Sequence, residues 1–168
     1  MSYVDNFTHA DELIAHLDTV VPGITTPLLQ AKYTGFVSVA AVTVYELAIK
    51  EIFIGFGAGK HKILGNFTEA YFHRINGRIK IRVVKEDYIN KFGQKYVVRF
   101  DKKVTARAND YLRSTGRDIR SAYNNLITWR NDFAHAGKLN TTATYKEATQ
   151  AYADGKEVIH VLADVMRR

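Results

Sequence analysis

Residues 117–136, RDIRSAYNNLITWRNDFAHA, contain neither Pro nor Gly, and Gly137 follows at once. Glycine readily adopts the left-handed conformation that closes helices, so the run predicts one uninterrupted helix with a defined stop. Ile119, Ala122, Leu126, Trp129, Phe133 and Ala136 recur at intervals of 3, 4, 3, 4 and 3, which predicts a single buried stripe. Asn124, Thr128, Asn131 and His135 fall on the opposite side. A long amphipathic helix can bury its stripe only against other helices or a sheet, and the rest of the chain decides which.

The remaining pattern is almost entirely helical. Helices are predicted at about 11–20, ended by Pro22 and Gly23, and at about 27–54, opened by Pro27. Others follow at 67–75, 86–92 and 104–113, and a last one from a Thr144/Glu147 capping box to the C-terminus. Ile79, Ile81 and Val83 alternate with Lys80 and Arg82, which fits a short strand or an extended loop. The expected architecture is all-α, in one domain over 1–168. It is an up-and-down bundle of the helices at 27–54, 67–75, 117–136 and 144–167, with additional short helices and a basic insertion at 76–107 packed alongside.

Several classes of function are excluded or disfavoured. With no cysteine there is no disulfide, thiolate zinc site or cysteine nucleophile. No histidine pair has ligand spacing, so no metal site is expected and no cofactor is implied. The apolar stretch 35–56 is interrupted by Glu46, Lys50 and Glu51, which argues against a membrane span and for a helix buried in a bundle. GFGAGKH at 55–61 lacks the first Gly and the final Ser or Thr of a phosphate loop, and reads as a helix stop. No secretory signal is present, so a cytoplasmic protein is expected.

The net charge of +7 is not evenly spread. Residues 74–107 hold eleven Lys or Arg against three acids, interleaved with Tyr88, Phe92, Tyr96 and Phe100. Such a local excess suits phosphate binding, and Lys102, Lys103, Arg107 and Lys138 are the candidate RNA contacts. The alternative is a solvated basic surface.

WRNDFAHAG, residues 129–137, carries the chemistry. Arg130 offers a planar fork for phosphate oxygens and His135 a group that exchanges protons near neutral pH. Asn131, one turn before His135, can hold the imidazole or a phosphate oxygen. Arg130 and His135 stand about 140° apart on an ideal helix, and a last turn unwinding at Gly137 could swing His135 toward Arg130. The competing reading is structural: a histidine favoured by the helix dipole, and Arg130 paired with Asp132 or a neighbouring helix.

RNDFAH at 130–135 resembles the Arg-(Asn/Asp/His)-x3-His signature of the HEPN superfamily, whose members are helical bundles of this length. Tyr45-Glu46 resembles the aromatic-Glu pair of its RiboL-PSP-like branch and of a sister branch. The resemblance implies a metal-independent endoribonuclease that cleaves RNA through 2′-OH attack to a 2′,3′-cyclic phosphate, acting as a toxin or antiviral abortive-infection effector. It implies Arg130 on the scissile phosphate, His135 as general base or acid, Asn131 positioning them and Glu46 orienting Arg130. It also implies a homodimer with a composite active site, and a cognate antitoxin or defence-system partner. Lys138 stands where toxins silenced by a nucleotidyltransferase carry Tyr. A non-catalytic HEPN module binding nucleotides or partners is the alternative.

Overall fold

The computed structural model describes residues 2–139 and 143–167. After a 3₁₀ turn at Tyr3–Phe7 come α1 (Thr8–Val20), α2 (Pro27–Ala58) and α3 (Lys62–Phe72). An irregular helical stretch follows: α4 (Ile81–Val83), a π turn (Val84–Tyr88) and a 3₁₀ turn (Ile89–Phe92). Then come α5 (Gln94–Thr115), α6 (Ile119–Ala136) and α7 (Tyr145–Val165). There is no strand among the described residues.

The 32-residue α2 is the axis of the molecule, packed against α1, α3, α6 and α7. Its Val and Thr content favours strands in isolation, but burial overrides propensity: Val37, Val42, Val44, Ile49 and Phe53 are all in the core. Helix α7 starts on the expected capping box, in which the Thr144 side chain accepts from the Glu147 amide and Glu147 accepts from the Thr144 amide. Its Ala148, Ala151, Ile159, Leu162, Val165 and Met166 are buried as expected.

Three expectations are corrected. The fourth long helix is the 22-residue α5, not residues 67–75. The basic segment is therefore largely a structural helix: Val97, Phe100, Val104 and Ala108 are buried in the core while the charges point outward. The stretch 79–83 makes no strand; Ile79 is buried in an extended approach to α4. The buried face of α6 also differs from the expected stripe. It consists of Ile119, Tyr123, Leu126 and Ile127, while Phe133 is half-buried and Ala136 exposed. Wedged between α2 and α7, the helix buries an arc set by two neighbours instead of one.

Candidate functional site

Helix α3 ends at Phe72, and the chain turns at Asn76-Gly77, where Gly77 has φ +67°. That left-handed conformation is inexpensive only for glycine. The three residues 77–79 then form a strap pinned by four side chains. Glu46 Oε2 of α2 accepts from the Gly77 amide at 2.5 Å, and its Oε1 lies 2.6 Å from Lys50 Nζ. Arg130 Nη2 of α6 donates to the Gly77 carbonyl at 3.3 Å. Tyr88 donates to the Arg78 carbonyl at 2.8 Å, and Tyr123 of α6 to the Ile79 carbonyl at 2.7 Å. Burial pushes the Tyr88 hydroxyl up to about 12 and raises that of Tyr123 further, so both remain donors at neutral pH.

Tyr123 is held in turn by Tyr45, the residue before Glu46. The two rings stack at 5.2 Å, and Tyr45 donates to the Tyr152 carbonyl of α7 at 2.5 Å. One turn of α2 thus anchors α6 and α7 through Tyr45 and sets the strap through Glu46.

Arg130, half-buried and seven residues after Tyr123, continues the buried face of α6, although the apolar stripe read from the spacing does not include it. With one Nη on the strap, its other Nη lies 3.2 Å from His135 Nε2. Unwinding is not needed for this contact. Helix α6 stays intact to Ala136, and Gly137 at φ +61° closes it with a Lys138 amide bond to the Asp132 carbonyl. The length of the arginine closes the gap. A guanidinium has no lone pair, so Nε2 is the acceptor and the ring proton sits on Nδ1. His135 itself is exposed. Among the described residues Arg130 has no carboxylate partner, contrary to the salt bridge of the structural reading.

The other sequence candidates are distributed unevenly. Asn131 is half-buried, one turn before His135, and Lys138 is exposed just beyond the helix stop. Lys102 is exposed on α5. Lys103 and Arg107 are paired with Asp164 and Glu157 of α7. Those acids lie toward the far end of α7, about 28 Å of helix from Tyr145 for Asp164. The motif lies at the other end, where α6 gives way to α7. Glu46 does not touch Arg130; the two meet through Gly77. Sequence reasoning missed Gly77, Tyr88 and Tyr123, and the one available signal was the Asn76-Gly77 pair that directly follows the helix predicted at 67–75.

The sequence profile of the RiboL-PSP-HEPN family matches residues 5–167, nearly the whole chain. The chain belongs to this HEPN family. No curated protein and no solved structure matches it significantly. HEPN membership points to a nuclease or RNA-related role in general, and to RNA-related or dimeric function. Among the described residues of this HEPN protein, no helix is long and apolar enough to cross a membrane.

Proposed function

We propose that this HEPN protein is a metal-independent endoribonuclease. The observation that supports it most is the Arg130–His135 pair: a strap-held guanidinium that donates to Nε2 of an exposed imidazole. RNA carries its own nucleophile. As the Arg130 Nη1 turns from His135 to the phosphate, the freed Nε2 takes the proton of the 2′-OH, the 2′-oxygen bonds to the adjacent phosphorus, and the bond to the 5′-oxygen breaks. Arg130 neutralises the charge that builds on the phosphoryl oxygens, and Asn131 orients the imidazole or the phosphate. The products are a 2′,3′-cyclic phosphate and a 5′-hydroxyl, the latter needing a proton.

One chain offers a single histidine in the motif, so that proton calls for a second acid. A two-fold homodimer with two His135 side chains facing one cleft supplies it, and an isologous dimer is the commonest oligomer. Phe36, 46% exposed and edge-on to Phe133 at 5.5 Å, gives the motif end of α6 an apolar border suited to such a contact. Action as a toxin or antiviral effector under a partner's control is consistent with this chemistry. Lys138 and Lys102 are further RNA contacts in this reading.

The test is incubation of labelled RNA in EDTA with wild type, Arg130→Ala and His135→Ala, alongside light scattering. Cleavage to cyclic-phosphate ends by wild type alone is the expected result. Equal activity in all three proteins would overturn the assignment, and a fully active monomer would overturn the composite site. A folded protein that binds RNA with no cleavage would favour the non-catalytic module.

A further inference from the structure

The strap that holds Arg130 is also the rim of a cleft. Beside it lies a depression of about 650 Å³ lined by Tyr71, Arg74, Asn76, Arg78 and Lys91 among others. Two acids share it, but both face cations: Glu86 lies 2.7 Å from Arg82, and Asp87 lies 3.6 Å from Arg78. Among the described residues Arg74 and Lys91 have no carboxylate within ion-pair distance. Lys91 Nζ instead sits 5.2 Å over the Tyr71 ring.

The cleft continues along α3 as an aromatic surface. Phe67, one turn before Tyr71, is stacked on it at 6.2 Å with the planes 13° apart, yet Phe67 is 60% exposed. An exposed aromatic face flanked by cations without carboxylate partners is the arrangement that stacks an unpaired base and grips the phosphates on either side. Duplex RNA presents its bases only as edges, so it cannot use such a face.

We infer that the surface from Phe67 of α3 to Arg74 in the turn beyond it, with Lys91, binds single-stranded RNA and delivers it past the Gly77 strap to Arg130. This deepens the ribonuclease reading and rests on it for the direction of the strand. A base stacks on Phe67, with Tyr71 extending the platform under Lys91. Arg74 and Lys91 bind the phosphates of the next nucleotides. The chain step from Arg74 to Gly77 then brings the backbone to the guanidinium. Lys103 and Arg107, neutralised by α7, are left out of the track.

The test separates binding from cleavage. A labelled single-stranded RNA with 2′-O-methyl groups throughout cannot be cleaved by 2′-OH attack, so its anisotropy reports binding even if the ribonuclease reading fails. Phe67→Ala and Arg74→Ala are each expected to weaken binding by at least about fivefold. Arg74→Ala should also reduce the slope of log K against log salt by about 0.7. Arg113→Ala, on the exposed far end of α5, should bind as wild type, and a duplex of the same sequence should show no dependence on Phe67. The Phe67 and Arg74 variants should keep the wild-type melting temperature, because both side chains are exposed. Wild-type affinity in Phe67→Ala and Arg74→Ala, or an equal loss of binding in Arg113→Ala, would overturn the proposal. If unmodified RNA is also left uncut by a wild-type protein whose binding depends on Phe67, the ribonuclease reading fails while the binding track stands.

Discussion

A methyl group placed on the α-carbon of Gly77 would sit 2.1 Å from Arg130 Nη2. The guanidinium therefore rests directly on the glycine backbone, in space that no other residue type leaves open. Gly77→Ala must push Arg130 away and also force a side chain into left-handed φ, at a cost of about 1–2 kcal/mol. The expected outcome is a lower melting temperature together with at least a tenfold loss of RNA cleavage, measured well below the new transition. Full activity in the variant would show that Arg130 does not need the strap.

Glu46 acts on Arg130 through the same residue. Glu46→Ala leaves the Gly77 amide without its acceptor, which should cost about 1–3 kcal/mol and lower cleavage. Glu46→Gln keeps an acceptor oxygen and should retain most of both. Parallel denaturation and cleavage assays distinguish the two, and equal behaviour of Ala and Gln would argue against the positioning role.

Arg130→Lys tests the fork. A single ammonium cannot reproduce two diverging N–H groups, one on the Gly77 carbonyl and one on His135. Charge is conserved, so binding of uncleavable RNA should change little while the cleavage rate falls by an order of magnitude or more. A fully active lysine variant would reduce the arginine to a point charge.

Away from the site, Asp154 is a buried carboxylate bonded by Arg117 at 2.8 Å, Tyr111 at 2.7 Å and Gln150 at 2.9 Å. Asp154→Ala takes the acceptor from Tyr111 and Gln150 and releases the exposed Arg117, and should destabilise the fold by about 1–3 kcal/mol in urea titrations. A loss below about 1 kcal/mol would show that water replaces the carboxylate.

His160 provides a pH dependence of stability. Burial holds its pKa below the ordinary 6.5, and Tyr3 shares a hydrogen bond with its Nδ1 at 2.9 Å. Above pH 6.5 neither folded nor unfolded chain is protonated there, and the residue contributes no slope. As pH falls below 6.5 the unfolded chain takes up a proton that the folded one resists, so stability declines until the folded pKa is reached. Urea midpoints at pH 7.5 and 5.5 should differ more in wild type than in His160→Gln. An identical difference would assign the slope to other groups.

The sequence by itself determined the helical class, the capping box and core face of α7, and the presence of Arg130 and His135 near one helix end. These depend on periodicity and on local bonds within one or two turns, which a single segment carries. It misread α5 as a basic insertion because its exposed charges outnumber the four buried positions that dock it. It also left Arg130 out of the buried stripe, because that face depends on how α2 and α7 flank α6. Only the tertiary structure decided that Glu46, Gly77 and Arg130, far apart in the chain, form one relay. Each link in it is a hydrogen bond to a backbone group, and a backbone amide or carbonyl has no signature in residue type. Glycine at 77 is the exception in kind but not in meaning: its need for positive φ is legible locally, whereas the guanidinium resting on it is visible only once the helices are packed.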